Sequence, residues 1–582
     1  MAAEDLPSEF DVVILGTGLT ESVVAAACSR VGQRVLHLDT RSYYAAKWAS
    51  FTFNTLLTWI KQHQEQSQGD EVQDWSGLLA EGEEPIYVSN TDSASVSNLQ
   101  VFCFTSEDQE DDDEEKSIEE ESCVESEPKE KQQQTEEEEA VHTEKESDLP
   151  RPQDVASQSE PNRKITFAQL VKEGRRFNID LVSKLMYARG SLVDLLIKSN
   201  VSRYAEFKNI TRILTYRHGN VEQVPCSRAD VFASRQLSVV EKRKLMRFLT
   251  SCMEETEEHK ASSAQTYLEF LRDQQLSDNL QHFLLHSIAM VTEDTPTEVG
   301  LTSTRHFLRC LGRYGNTPFL FPVYGLGEIP QCFCRMCAVF GGVYCLRHPV
   351  SCLLLDKTTN RCKAVIDSRG QRITGSHFVL EDSYLSPDFK MMATPTRCIS
   401  RAVLITDCSI LPSDSEQQQV SVVTVPPMEV GYPAVRMVEL CPSTMTCMPG
   451  TYLVHLTCQS LGSAYEDLSP VVKRMFRTPE SHDQAERPSV LWCLYFNMED
   501  GSGVEVQGQH VPSNVYLCSG PDGALGHEHA IRQAESIFHK IVPEEDFCPP
   551  APNPEDIIYD GDNATTDQEG EGGDEEQKIH EE

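Results

Sequence analysis

The sequence predicts an α/β fold, and three observations carry that prediction. A strand–glycine turn–helix–strand unit occupies residues 9–40, a mostly helical stretch runs from about 165 to 311, and strand-like runs return beyond Gly341. In the first unit, residues 11–15 (DVVIL) read as a short buried strand and Gly16-Thr17-Gly18 as a tight turn. Residues 21–30 follow as a helix of small side chains, and residues 34–38 (RVLHL) as a second strand with Asp39 at its end. Strand, helix and strand in so short a span require a parallel pair joined by a crossover. In the helical stretch, Ser238-x-x-Glu241 is a capping box ahead of the periodic Val240, Leu245, Phe248, Leu249 and Cys252. Residues 280–291 (LQHFLLHSIAMV) are apolar on most sides, which fits a buried helix or one lining a greasy cavity. Residues 352–355, 401–406, 419–425, 451–458 and 489–496 point to a second, largely antiparallel sheet.

Charge divides the chain further. The net charge is −40 over 582 residues. Residues 101–150 hold 21 Asp/Glu against 4 Lys, and residues 551–582 hold 12 against 1, so the remainder is only mildly acidic. Residues 107–163 are expected to be a disordered acidic insert, because such a composition cannot bury enough apolar surface to offset its ordering entropy. Residues 549–582 read as a Pro-rich, then acidic tail. No broad basic face is available for phosphate contacts, so nucleic acid is not an expected partner. The first nine residues are acidic and run into a strand, and no stretch approaches the ~18 apolar residues of a membrane span. A cytosolic protein with its 20 cysteines reduced is expected.

Gly16-x-Gly18 between strand and helix, with Asp39 beyond, matches most of a dinucleotide fingerprint. The third position should be Gly or Ala, and here it is Glu21. A carboxylate on the first helical turn satisfies the N-terminal amides itself and repels a pyrophosphate. A flavin site would also want glycines downstream of the acidic residue, where Ala45-Ala46 stand. The expectation is a dinucleotide-type domain whose pocket is filled by protein, with no cofactor. Residues 516–523, ahead of a helical 530–538, read as a second remnant of the same architecture. Cys332-x-Cys334-x-x-Cys337, with Cys345 and Cys352 beyond, is either a metal candidate or a set of buried small side chains. A helix splays those thiols around its axis, which favours the second reading. His37, inside a strand, reads as a core histidine. No Walker, HExxH or GxSxG motif is present, and no catalytic residue is assigned.

Several runs carry a family resemblance: Gly16-Thr17-Gly18-Leu19-Thr20-Glu21, Ser42-Tyr43-Tyr44, residues 174–181 (GRRFNIDL), 311–315 (LGRYG) and 324–331 (YGLGEIPQ). They resemble the Rab GDP-dissociation inhibitor and Rab escort protein superfamily. The acidic insert, and Asp546-Phe547-Cys548-Pro549-Pro550 ahead of the tail, look like the escort branch, the accessory component of Rab geranylgeranyltransferase. The resemblance implies a flavoprotein-like domain I without cofactor, in segments 1–106, 164–224 and 319–548, and a small helical domain II at 225–318. It implies a non-catalytic chaperone that binds newly made GDP-bound Rab and presents the Rab C-terminal cysteines to the transferase α/β heterodimer. The chaperone then masks the geranylgeranyl lipid and delivers the Rab in a transient membrane contact. By the same resemblance, Tyr44, Glu328, Arg335, Val343 and Cys345 bind Rab, and Phe232 and Arg243 bind the transferase. Leu284 and Ile288, on the most apolar helix of domain II, are the candidate lipid-cavity residues. Competing readings are a GDP-dissociation inhibitor that recycles prenylated Rabs and a flavin-dependent oxidoreductase.

Overall fold

In a computed structural model of the chain, the structure describes residues 6–65, 75–89, 96–105, 165–254, 265–385, 397–413, 418–481, 486–503 and 511–550. The predicted insert at 107–163 and nearly all of the predicted tail lie outside the described residues.

The unit read at residues 9–40 forms as expected. Strand Glu9–Leu15 pairs in parallel with Val35–Leu38, and the helix Leu19–Arg30 makes the crossover. The sheet grows on both sides in the order Val343–Cys345, Val35–Leu38, Glu9–Leu15, Arg372–Glu381, Arg361–Asp367, Val350–Asp356, Glu83–Tyr87. Val515–Cys518 adds in parallel to the end of Arg372–Glu381. The crossover helix is buried from Leu19 to Ser29, because it lies between this sheet and the helices Glu328–Val339 and Glu528–Ile541. Its small residues permit that close approach. Ser22 Oγ lies 3.3 Å from Cys334 Sγ, and Ser29 Oγ lies 3.1 Å from Cys337 Sγ. Cys332, Cys334 and Cys337 are thus buried packing residues, and burial pushes the Cys334 thiol up to about 12 and Cys337 to about 11.

The second sheet runs Asn220–Gln223, Arg212–Arg217, Ser421–Val425, Val435–Leu440, Tyr452–Gln459, Cys398–Thr406, Val490–Glu499, Val96–Cys103. It is antiparallel except where Arg212–Arg217 meets Ser421–Val425. Four of the five predicted runs belong to it. The fifth, residues 352–355, lies instead in Val350–Asp356 of the first sheet, in a hairpin with Arg361–Asp367. Cys352, Leu353 and Leu354 are all buried, so the run shows no alternation that would tell one sheet from the other.

The helices between residues 228 and 310 pack among themselves and meet the second sheet at two of its strands. Asp278–His282 continues into a π-helical segment, Phe283–Ile288, which packs on Arg212–Arg217 and Ser421–Val425. Thr215 Oγ1 and His282 Nε2 join the two layers at 2.9 Å. At the other end of the chain, helix Glu528–Ile541 follows the strand Val515–Cys518, as the second-remnant reading requires. Lys198 Nζ then holds the Asp546 carboxylate and the Phe547 carbonyl, each at 2.8 Å, while Phe547 packs on Phe538.

Candidate functional site

The glycine turn keeps its backbone form. Gly16 sits at φ +105°, and a Cβ there would fall 2.8 Å from Glu381 Cβ, so only glycine fits. The space a pyrophosphate would take is occupied. Glu21 folds its carboxyl back over Gly18, accepting from its own backbone N–H. Burial, then the neighbouring Glu381 and Asp382 carboxylates, push Glu21 up to about 8. Asp39, the position that would hold a ribose, accepts from Thr17 Oγ1 at 2.6 Å and from the Arg41 backbone N–H at 2.9 Å. Arg41 bridges onward to Glu381 at 2.8 Å, and Lys47 pairs with Asp382 at 2.8 Å. A dinucleotide would bring further negative charge against four buried carboxyl groups. These residues do not fit one.

The loop leaving Asp39 presents Tyr44. Its neighbours Ala45 and Ala46 lie at φ 75° and 47°, in the left-handed region that favours glycine. The turn is kept by buried contacts, including the Ala45 N–H donated to Thr17 Oγ1 at 3.0 Å. The half-exposed Tyr44 ring stacks on Tyr344 at 5.4 Å, and Tyr344 in turn lies 5.2 Å from His37. His37 is a core histidine, as read: burial lowers its pKa to about 4, so the neutral ring donates Nε2–H to the Gly16 carbonyl at 2.6 Å.

Glu328 opens the helix Glu328–Val339. Burial raises its pKa, and the Arg335 guanidinium, seven residues on and therefore on the same helix face, opposes that shift. Arg335 is exposed and lies over the Tyr204 ring at 5.4 Å. The helix packs beside the edge strand Val343–Cys345 that carries Tyr344. Val343 and Cys345 are placed differently. Side chains alternate along a strand, and these two pack with Leu36, Leu38 and Val350 on the opposite sheet face from Tyr344. Tyr344 and Tyr204 are half-buried and Tyr324, at φ 73°, is exposed; none of the three stands out as a site residue in the sequence. Strand alternation could have found Tyr344. Tyr204 is brought in only by the tertiary fold.

Two capped helices present the second group. Ser227 caps Arg228–Ala233 in a reciprocal box with Asp230, and Ser238 caps Val239–Met253 in one with Glu241. The Lys242 ammonium donates to the Phe232 carbonyl at 2.9 Å and ties the helices together. Phe232 is 70 % exposed, and Arg243 is exposed on the following helix. A packing role for Phe232 is thereby removed.

The two candidate lipid-cavity residues are buried. Leu284 and Ile288 are 0 % and 3 % exposed, closed into the core against the second sheet. The apolar space nearby lies elsewhere. A groove of about 430 Å³ runs between Val239–Met253 and Thr297–Cys310, lined by Met246, Leu249, Met253, Leu308 and Leu311.

Comparison with known proteins agrees with this architecture. A family model described as GDP dissociation inhibitor matches residues 6–79 and 160–458. A second, described as RAE1/2 domain I, C-terminal region, matches residues 399–523. The chain is 51 % identical to Rab proteins geranylgeranyltransferase component A 1 of Homo sapiens, over 96 % of this chain and 95 % of that protein. It is 50 % identical to component A 2 of Homo sapiens, over 98 % and 96 %. Among solved structures, a Rab GDI from Plasmodium falciparum superposes with a TM-score of 0.59 at 16 % identity, covering 93 % of this chain and all of that one. With matched regions spanning most of its length, the chain belongs to the GDP dissociation inhibitor family, in the branch of the Rab proteins geranylgeranyltransferase component A.

Proposed function

We propose that this chain is a Rab escort chaperone, the non-catalytic accessory component of Rab geranylgeranyltransferase. It binds newly made, GDP-bound Rab on the face bearing Tyr44, Glu328 and Arg335. It presents the Rab C-terminal cysteines to the transferase α/β heterodimer, which carries the catalytic machinery. The transferase docks on the Phe232–Arg243 hairpin. The geranylgeranyl chain is held in the groove between Val239–Met253 and Thr297–Cys310, where burial of its large apolar surface at ~25 cal/mol per Å² provides the affinity. The chain works in the cytosol and meets membranes only while delivering Rab; among the described residues no helix is long and apolar enough to cross one. The filled glycine pocket speaks against a flavin oxidoreductase.

The observation that carries the docking reading is the exposure of Phe232, an aromatic at the end of a rigidly capped helix with no core role. Aromatic and Arg side chains are the usual anchors of interfaces. Phe232→Ala with Arg243→Ala should abolish transferase binding and Rab prenylation while Rab·GDP binding and melting temperature stay near wild type. Normal prenylation at limiting chaperone concentration would overturn it. A second reading, an inhibitor that only recycles prenylated Rabs, is favoured by the GDP dissociation inhibitor match. It predicts no transfer of geranylgeranyl to unprenylated Rab when chain and transferase are combined.

A further inference from the structure

We infer that Val239 and Val240 extend the transferase-docking surface, forming with Phe232 an apolar pad bordered by arginines; this rests on the docking reading above. Val239 and Val240 are 65 % and 62 % exposed, and with Phe232 they place three large apolar side chains in solvent at one helix–helix junction. They are the first two residues of Val239–Met253. The buried face of that helix is Leu245, Phe248, Leu249 and Cys252. At about 3.6 residues per turn, Arg243 falls opposite that face, with Val239 and Val240 one turn earlier on either side of it. The Lys242–Phe232 hydrogen bond brings the end of the preceding helix alongside this same first turn.

Folding does not call for valine here. First-turn positions favour acidic side chains, and β-branched residues are among the weaker helix formers. The capping box of Ser238 and Glu241 already secures the helix start. A contiguous apolar patch that the fold does not require marks a contact surface.

Charge selects the occupant. Arg235, Arg243, Lys244 and Arg247 are all exposed around the pad, in a chain whose net charge is −40. A basic rim around an apolar centre fits a protein surface with an apolar socket bordered by carboxylates. Continuity with Phe232 and Arg243 assigns that surface to the transferase heterodimer.

The test uses the full chain loaded with unprenylated Rab·GDP, titrated with purified transferase. Four forms are compared: wild type, Phe232→Ala/Arg243→Ala, Val239→Ser/Val240→Ser and Val239→Glu/Val240→Glu. The Ser pair should weaken binding by roughly tenfold or more. The Glu pair should weaken it further, although carboxylates in the first turn favour the helix, so its loss cannot be ascribed to unfolding. Rab affinity and melting temperature should not change in the Glu pair. Transferase binding within about twofold of wild type in the Glu pair would overturn the inference. If Phe232→Ala/Arg243→Ala alone loses binding, the docking reading stands and the valine pad falls. If neither does, both fall.

Discussion

Glu21→Gln should make the protein more stable at neutral pH, and the size of the gain follows from where Glu21 lies. Its carboxyl is buried at the start of the crossover helix, beside Glu381 and Asp382, and its pKa rises from 4.5 to about 8. Between those values the folded chain keeps a proton that the unfolded chain has released. The folded state therefore binds more protons in this window, and stability falls as pH rises through it, by ~1.4 kcal/mol per unit. At pH 7 the accumulated cost is ~3 kcal/mol, and below pH 4.5 it vanishes. Glutamine keeps the size and stays neutral. The variant should gain up to ~3 kcal/mol at pH 7 and almost nothing at pH 4. Urea unfolding of both proteins from pH 4 to pH 8 measures this directly. Parallel stability curves, or a less stable variant at pH 7, would show that Glu21 is ionised in the fold and that the pocket is not closed as described.

The remaining predictions concern the surfaces and the loop that presents one of them. Tyr44→Ala, Glu328→Ala and Arg335→Ala should each weaken Rab·GDP binding by roughly 1–3 kcal/mol, measured by titration calorimetry, with thermal melting unchanged. Ala45→Gly should be near neutral, within ~1 kcal/mol, because relief of the left-handed backbone is offset by the lost buried methyl. Ala45→Val should destabilise by more than ~2 kcal/mol, because a β-branched residue at that φ is strained; thermal unfolding distinguishes the two. Met246→Lys with Met253→Lys should reduce retention of prenylated Rab and spare unprenylated Rab, as a pull-down of both forms would record. Leu284→Asp, by contrast, buries a charge in the core and should lower the melting temperature and both kinds of Rab binding together.

What was readable in the sequence was local. The strand, glycine turn and helix of residues 9–40 announce themselves because the turn needs glycine and the helix needs small side chains. Glu21 at the third fingerprint position told that the pocket was filled. Ser238 with Glu241 told where a helix starts; the structure closes that box and a second of the same form at Ser227 and Asp230. What could not be read depends on partners distant in the chain. Arg41 reaches Glu381 across 340 residues, and Tyr204 lies under Arg335 only because two segments far apart in the chain converge. Apolar runs were ambiguous for a different reason. Residues 352–354 and 283–288 are buried, so nothing in their pattern says which sheet they join or whether they face a cavity or a core.

The filled pocket and the exposed surfaces are two sides of one arrangement. In a dinucleotide enzyme, the strand ends and the first helical turn face a ligand and must leave space for it. Here the neutral carboxyl of Glu21 and the charges of Asp39, Arg41, Lys47, Glu381 and Asp382 close that space. The same lattice of bonds fixes the loop of Ala45 and Ala46 through Thr17, and so fixes Tyr44 against Tyr344. Filling the cofactor site thus turns the end of the parallel sheet from a cavity into a rigid base for an aromatic and charged outer face. A surface held this way loses little conformational freedom when a partner docks, which favours recognition by a few anchors over a large interface.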